Sequence, residues 1–162
     1  MLPAYFGNMA PVIMKNHFKF LAVPIDKSFP GSTSWFGSHK TWRGLFLAPV
    51  FGVITAYLQF VFNISSLNLI DYSHWLIIGV LLGTGAILGD LIKSFIKRRL
   101  KIAPGKKFIP FDQIDFVMGA LLLSWYIVPS LKVAVTLLII SPLLHIIVNH
   151  IAFYLKIRGE AW

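Results

Sequence analysis

The sequence predicts an all-α integral membrane protein with about five transmembrane helices. Two observations predict this fold class. Of the 162 residues, 57% are hydrophobic and only 13% are charged, whereas a soluble domain carries about 25% charged residues. Long stretches also lack Asp, Glu, Lys and Arg, and they approach the ~20 residues that a helix needs to cross the hydrocarbon core. These runs do not alternate as the strands of a membrane β-barrel do.

The predicted helices follow the uncharged stretches along a single membrane domain, residues 1–162. The first stretch contains Pro3 and Pro11, so we expect a short or broken membrane helix there, with an interfacial segment as the alternative. Two other uncharged runs are short, and their helices must extend into the polar borders to reach a full span. The five predicted spans are residues 2–16, 44–64, 72–96, 112–131 and 133–155.

The positive charges predict the orientation of these helices. Residues 17–43 and 97–111 form two basic connections and the C-terminal tail is also basic, whereas residues 65–71 contain no Lys or Arg. Connections rich in Lys and Arg lie on the cytoplasmic side of membrane proteins. The sequence therefore predicts the N-terminus outside, the C-terminus in the cytoplasm, and both basic connections cytoplasmic.

The net charge and the absence of cysteine restrict the function classes. A net charge of +9 would ordinarily suggest nucleic acid. Here the basic residues lie between apolar runs, so the lipid bilayer is the expected partner and no nucleic acid is expected. The chain has no cysteine, which excludes disulfides and metal sites with Cys ligands.

Acidic residues accompany the second basic connection. Asp90 lies inside a predicted span, where an ionisable side chain is costly and is functional by default. Ser94 and Lys97 follow it at spacings of four and three, so all three share one helical face. Asp112 and Asp115 are one turn apart at the start of the next helix. A turn at residues 103–105 would let the two helix ends face each other.

This combination of charges suggests a site for a nucleotide and its metal. Carboxylates suit Mg²⁺, which prefers oxygen ligands. Lysines and arginines suit phosphate, and both together can neutralise charge that moves onto a leaving phosphate group. The alternatives are helix capping for Asp112 and Asp115 and contacts with lipid headgroups for the basic residues.

The same residues resemble the signature of the CTP-dependent CDP-diacylglycerol synthases. That signature has Ser, two residues and Lys-Arg, matched by residues 94–98, then a Pro, matched by Pro110, and later Asp-Arg-x-Asp. The sequence departs from it, since Gln113 replaces the Arg, the His-Gly-Gly element is absent, and the chain is much shorter than the bacterial enzymes.

These departures resemble the archaeal branch, the CDP-archaeol synthases. The matching segments occur in the expected order between Leu2 and Ala120, and they include Lys40-Thr41-Trp42-Arg43-Gly44 and Gly89-Asp90. The resemblance implies transfer of CMP from CTP to unsaturated archaetidic acid (digeranylgeranylglyceryl phosphate), giving CDP-archaeol and pyrophosphate in phospholipid biosynthesis. The implied partners are CTP, an isoprenoid ether lipid phosphate and the bilayer, and the implied cofactor is Mg²⁺.

The resemblance also implies roles for individual residues. Asp112 and Asp115 would hold Mg²⁺, and Asp90 would join them or fix Lys97. Lys97 would act with these aspartates in catalysis. At residues 40–43, the N-terminus of a helix offers backbone N–H groups that favour an anion. The residues expected to bind CTP or the lipid phosphate are Asn8, Lys40, Thr41, Arg43, Gly44, Ser94, Arg98 and Pro110.

Other functions stay open at this point. A phosphatidate-type cytidylyltransferase could use a different lipid. A small ion-coupled transporter would place Asp90 and the later aspartates on an ion path. A CDP-alcohol phosphotransferase also uses aspartates and Mg²⁺, but its Asp-Gly-x-x-Ala-Arg pattern is absent. The preferred lipid chains, the nucleotide selectivity, the number of metal ions and the oligomeric state are not fixed by the sequence.

Overall fold

The regular structure consists of helices. The computed structural model describes residues 1–28, 34–63, 70–127 and 130–156. Apart from an isolated bridge between Pro24 and Thr41, these residues form two short 3₁₀ turns, Lys19–Leu21 and Ile25–Ser28, and five α-helices. The helices are α1 (Leu2–Ile13), α2 (Trp42–Phe62), α3 (Trp75–Arg99), α4 (Phe111–Leu123) and α5 (Leu131–Tyr154). The prediction of an all-α fold is confirmed.

Three of the helices are long and apolar enough to cross a membrane. In the described part of the chain these are α2, α3 and α5. The other two, α1 and α4, have 12 and 13 residues, about 18 and 20 Å at 1.5 Å per residue. A hydrocarbon core of about 30 Å exceeds both lengths. The fold is therefore that of a membrane protein, and the count of five spans stays a prediction.

Helix α3 lies at the centre of the bundle. It packs against α1, α2 and α4, whereas the principal contact of α5 is with α4. Only Ser141 and Ala152 are buried among the described residues of α5, and large apolar side chains on its other faces are exposed. A helix that is apolar all round and weakly covered by protein fits a lipid environment.

Glycines let α3 approach its neighbours closely. A Cβ added to Gly83 would overlap the backbone of Ala48 on α2, and a Cβ added to Gly89 would overlap the carbonyl of Asp115 on α4. Small residues permit such contacts between membrane helices. The contact between α3 and α4 therefore falls beside Asp90 and Asp115.

The connection from α3 to α4 is a short turn, as predicted. Helix α3 continues to Arg99, so Lys97 lies in its last turn. The Lys106 N–H donates to the Ala103 carbonyl at 3.1 Å, and Gly105 takes a positive φ of 81°. Helix α4 begins immediately after Pro110. This turn brings the C-terminal end of α3 next to the N-terminal end of α4.

Candidate functional site

Six charged side chains meet where α3 and α4 come together. We call this group the carboxylate–lysine cluster, and its members are Asp90, Asp112, Asp115, Lys40, Lys93 and Lys97. Its side chains are largely buried, with exposed fractions between 6% for Asp115 and 25% for Asp112. Three carboxylates and three ammonium groups balance formally. Buried charges require such pairing, because an isolated one would be strongly destabilising.

Lys93 is at the centre of the cluster. Its Nζ lies 3.1 Å from Asp90 Oδ1, 3.1 Å from Asp112 Oδ1 and 2.7 Å from Asp115 Oδ2. Lys93 was not among the site residues predicted from the sequence. A signal was present, because Lys93 also lies inside the predicted span 72–96, where the rule that singled out Asp90 applies equally.

Lys40 reaches the cluster from the loop that precedes α2. Its Nζ lies 2.5 Å from Asp90 Oδ2. The backbone of Lys40 is held in place because its carbonyl accepts the Ile25 N–H at 2.8 Å, and Trp42 N–H donates to the Val23 carbonyl at 3.1 Å. Lys40 is thereby fixed beside Asp90, although the two residues are 50 positions apart in the sequence.

Lys97 pairs with Asp112. Its Nζ donates to both Asp112 carboxylate oxygens, at 3.0 and 3.1 Å, and to the Lys106 carbonyl at 2.5 Å. The Phe108 N–H also donates to Asp112 Oδ2 at 2.5 Å. Of the two roles expected for Asp90, fixing Lys97 therefore belongs to Asp112 instead. Asp90 instead pairs with Lys40 and Lys93, whose ammonium groups lie nearer to its carboxylate.

Asp115 keeps an oxygen without a well-formed hydrogen bond. Its Oδ1 accepts the Phe116 N–H at 2.7 Å. Its buried Oδ2 pairs with the Lys93 ammonium at 2.7 Å and has no other partner among the described residues. The three aspartates offer only oxygen ligands, which suits Mg²⁺. Within the described residues, no three acidic or histidine side chains are already arranged as a metal site; the aspartates converge on an ammonium group.

Several other predicted site residues shape the surrounding helices. Ser94 Oγ donates to the Asp90 carbonyl at 2.7 Å, so this hydrogen bond lies within α3. Thr41 and Pro110 occupy the positions just before α2 and α4. Gly44 is buried in the first turn of α2. These four residues position the backbone next to the cluster.

Three further predicted residues are not members of the cluster. Arg43 Nη1 donates to the carbonyls of Lys15 and His17 at 2.8 and 3.4 Å, and so holds the segment that follows α1. The guanidinium of Arg98 lies against Gly37, and its buried Nε has no hydrogen-bond partner in the described residues. Asn8 is half-buried on α1.

Asp26 fixes the loop that carries Lys40. Its carboxylate accepts hydrogen bonds from Ser34 Oγ at 2.6 Å and from the N–H groups of Phe36 and Gly37, both at 2.8 Å. Burial raises the pKa of Asp26, but these hydrogen bonds outweigh it and hold the pKa below the usual range for a carboxyl. Asp26 is therefore ionised near neutral pH, and its carboxylate holds the two ends of this loop together.

Arg99 attaches the same loop to the end of α3. Its guanidinium lies 5.6 Å from the ring centre of Trp35 and 5.0 Å from that of Phe95. Its Nη2 also donates to the Ser34 carbonyl at 3.2 Å. Cation–π contacts of this kind stabilise by about 0.5–2 kcal/mol. The loop thus covers the last turn of α3, where Lys97 and Arg98 lie.

A small pocket opens between α4 and α5. It shares one residue, Asp112, with the carboxylate–lysine cluster. On α5, His145 and Asn149 are one turn apart and both face this pocket, on a helix that is mostly apolar. The pocket is lined by Lys107, Ile109, Asp112, Gln113, His145, Ile146 and Asn149.

Comparison with known proteins assigns the family. The family model described as CarS-like, CDP-archaeol synthase, matches residues 1–162. The chain belongs to the CDP-archaeol synthase family. The CDP-archaeol synthase of Methanococcus aeolicus is 36% identical over 99% of this chain and 92% of its own length. That of Methanoculleus marisnigri is 35% identical over the whole of both chains.

A solved structure of similar fold supports the assignment to the CDP-archaeol synthase family. It is described as an intramembrane enzyme for archaeal membrane lipids biosynthesis, and it matches with a TM-score of 0.74 and 29% identity. The match covers 92% of this chain and 89% of the other. Membership confirms the resemblance found in the sequence and favours a cytidylyltransferase over the ion-coupled transporter.

Proposed function

We propose that the protein transfers CMP from CTP to the phosphate of an isoprenoid ether lipid, unsaturated archaetidic acid, and so forms CDP-archaeol and pyrophosphate. The observation that carries the proposal is the carboxylate–lysine cluster, within a chain that matches the CDP-archaeol synthase family over its full length. Buried carboxylates and lysines at the end of membrane helices suit a reaction between a charged nucleotide and a lipid headgroup.

The reaction needs positioning and charge neutralisation more than acid–base chemistry. An oxygen of the lipid phosphate attacks the α-phosphorus of CTP in line. The new P–O bond forms as the bond between the α-phosphorus and the bridging oxygen breaks, and pyrophosphate leaves with that electron pair. The attacking oxygen is already anionic near neutral pH, so no Ser/His/Asp triad is required. Orientation and electrostatic stabilisation then supply most of the catalysis.

The lysines of the cluster are suited to bind phosphate. Lys40 and Lys97 have ammonium groups on two different elements, and both contact carboxylates that could release them to an incoming anion. Arg98 adds a guanidinium with a buried Nε that has no hydrogen-bond partner among the described residues. A triphosphate between these groups would replace their present ion pairs with stronger contacts to phosphate oxygens.

The aspartates are suited to hold Mg²⁺. Asp90, Asp112 and Asp115 each place an oxygen within 3.1 Å of one nitrogen atom, so the three carboxylates reach a common cation position. The buried Asp115 Oδ2 has capacity for a further partner. When bound, Mg²⁺ would neutralise negative charge on the triphosphate and on the leaving pyrophosphate.

The proposed topology has five membrane helices, with the N-terminus outside and the active site facing the cytoplasm. The charge distribution supports it. Basic residues occur at both ends of the connection before α2, after α3, and in the tail, whereas the α2–α3 connection has none. Half of that connection, residues 64–69, lies outside the described residues. Helices α1 and α4 would cross with the help of adjoining residues.

The lipid phosphate would approach through the pocket between α4 and α5. Three features support this proposal. The pocket borders Asp112, it carries the polar groups of Lys107, His145 and Asn149, and α5 leaves its other faces open to the bilayer. A lipid could then keep its chains between helices while its phosphate reaches the cluster.

The test uses the full chain purified in detergent with Mg²⁺, labelled CTP and digeranylgeranylglyceryl phosphate. We expect pyrophosphate and a lipid-linked cytidine nucleotide in equal amounts, and neither product without the lipid phosphate. Diacyl phosphatidate in a parallel reaction distinguishes a phosphatidate-type enzyme. Absence of pyrophosphate release with every lipid phosphate would refute the proposed function.

A further inference from the structure

The position of Lys93 gives it a different role from the phosphate-binding lysines. Its Nζ contacts one oxygen from each of three aspartates, Asp90, Asp112 and Asp115, at 2.7–3.1 Å. These are the three side chains that the proposed function assigns to Mg²⁺. The ammonium therefore lies at the place where a divalent cation would have to bind.

The charge balance argues against the Lys93 ammonium and a divalent cation occupying the position between the three aspartates at the same time. The three carboxylates are already matched by Lys40, Lys93 and Lys97, and the Lys93 side chain is only 12% exposed. Adding a divalent cation would leave two uncompensated positive charges in a largely buried site, which is costly. A triphosphate that arrives with the cation brings enough negative charge to remove that cost.

The distances lead to the same conclusion. Mg²⁺ binds oxygen at about 2.0–2.1 Å, so the carboxylates would have to close in on the common position. An ammonium group held 2.7–3.1 Å from the same oxygens cannot remain between them. Lys93 has a flexible four-carbon stem that allows its charge to move.

We propose that Lys93 occupies the divalent-cation position in the substrate-free enzyme, and that binding of the metal with CTP displaces its ammonium group onto the nucleotide phosphates. The proposal rests on the proposed function, because it takes CTP as the nucleotide. Lys93 thus makes the metal site dependent on the nucleotide. Metal alone must compete with a resident cation, whereas metal with CTP gives that cation a new partner, and such coupling acts on both ligands equally.

The test is binding of Mn²⁺ to the full chain in detergent, followed by electron paramagnetic resonance of the free ion. Without nucleotide, Lys93→Gln should bind Mn²⁺ at least about tenfold more tightly than the wild type, because the competing charge is gone. CTP should tighten Mn²⁺ binding strongly in the wild type and less in the variant. Lys101→Gln, an exposed lysine just beyond the same helix, is the matched control and should behave as the wild type.

A purely structural role for Lys93 predicts a different result. Lys93→Gln would then lose stability and bind Mn²⁺ equally or more weakly without CTP, and this outcome overturns the proposal. If that variant is not monodisperse, Lys93→Arg replaces it, since it keeps the charge. Lys93→Arg should bind Mn²⁺ as weakly as the wild type does without CTP, and tighter binding would overturn the proposal.

The two proposals can fail separately. Mn²⁺ binding without nucleotide does not depend on which lipid or reaction the enzyme uses. A wild type that makes CDP-lipid, with no gain of Mn²⁺ affinity in Lys93→Gln, refutes the role of Lys93 alone. A wild type that releases no pyrophosphate refutes the proposed function, whatever the Mn²⁺ result.

Discussion

Single charged residues in the cluster have both structural and chemical effects. Asp115 is 6% exposed and Lys97 is 8% exposed at the side chain. Removing one partner of a buried ion pair costs about 3–5 kcal/mol of stability, because the other charge is left uncompensated. A loss of activity is therefore informative only for variants that are shown to be folded, and the comparison must include an exposed residue of the same type.

Asp112 and Asp115 should act as a unit in turnover. Asp112→Asn and Asp115→Asn should each lower Mg²⁺-dependent turnover about 100-fold, or about 2.7 kcal/mol in activation free energy. The reason is that each removes an oxygen ligand from the same cation position, and effects of residues that act together are not additive. The double variant should be little worse than either. The measurement is turnover of CTP on monodisperse protein.

Helix capping alone would give a different pattern. A lost cap costs about 1 kcal/mol of stability and leaves the folded fraction active. Asp71→Asn is the control, because Asp71 is exposed in the connection before α3 and accepts local hydrogen bonds from Ser73. Near-normal turnover in Asp112→Asn or Asp115→Asn at the same Mg²⁺ concentration would remove that residue from the metal site.

In variants that remain folded, Lys40 and Lys97 should affect the kinetics with CTP. Lys40→Ala and Lys97→Ala should each lower kcat/KM for CTP at least about tenfold, or about 1.4 kcal/mol, since each loses a contact to phosphate. Lys132→Ala, at the exposed start of α5, should have little effect. Steady-state kinetics and thermal unfolding of each variant check this prediction. An equal loss of kcat/KM in all three variants would mean that these charges serve membrane insertion or folding.

At the scale of elements, the site depends on how closely α3 approaches α4. A Cβ on Gly89 would overlap the Asp115 carbonyl, so Gly89→Ala must push the helices apart. Overpacking of this kind costs about 1–3 kcal/mol and should also separate Asp115 from Lys93. Gly44→Ala is the steric control, because its nearest neighbours are side-chain atoms at 3.6 Å. An apparent Tm for Gly89→Ala equal to that of Gly44→Ala would contradict the packing argument.

The pocket between α4 and α5 should affect the lipid substrate. Asn149→Ala should raise the KM for the lipid phosphate about fivefold, near the roughly 1 kcal/mol of one hydrogen bond, and leave the KM for CTP unchanged. Thr136→Ala provides a polar control on the same helix, since its hydroxyl donates to the Lys132 carbonyl. A change in the KM for CTP alone would assign the pocket to the nucleotide.

The helices and much of the cluster could be predicted from the sequence, because they depend on residues that are close together along the chain. Lys97 and Asp112 lie on either side of a short turn, so the connectivity itself brings them together. The contact of Lys40 with Asp90 and those of Lys93 with α4 could not be predicted, because they depend on the path of a long loop and on the rotation of α3 against α4. The contacts of Arg43 could not be predicted for a related reason, since the carbonyls of Lys15 and His17 that it contacts belong to another segment.

Helix ends in apolar sequence were also beyond prediction. The uncharged stretch continues after Leu123, but α4 ends there and turns follow. Apolar composition marks residues that avoid water, and it does not mark where the backbone hydrogen bonds of a helix stop. Charged and proline-containing borders gave better boundaries, as at Pro110, because they change the backbone or the solvent exposure directly.

At the scale of the whole molecule, the orientation in the membrane decides whether the site can meet CTP. Lys40 from the 17–43 connection and Lys97 from the last turn of α3 both pair with aspartates of the cluster. Lys and Arg near membrane helices favour the cytoplasmic side, where nucleotide is available. The cluster and both basic connections must therefore be on the same side, and this requirement can be tested without measuring activity.

The absence of cysteine makes that test direct, because each introduced cysteine is the only one in the chain. Ser73→Cys lies at an exposed position before α3, and Lys27→Cys and Lys106→Cys lie at exposed positions in the two basic connections. An impermeant thiol reagent added to intact cells should label Ser73→Cys and leave the other two unlabelled until the membrane is opened. Permeabilised cells, in which all three should react, control for accessibility.

Labelling of Lys106→Cys from outside would reverse the orientation, and labelling of Lys27→Cys but not Lys106→Cys would mean that the two connections lie on opposite sides. The second result would also contradict the ion pair between Lys40 and Asp90, because that contact requires the loop before α2 to meet the C-terminal half of α3.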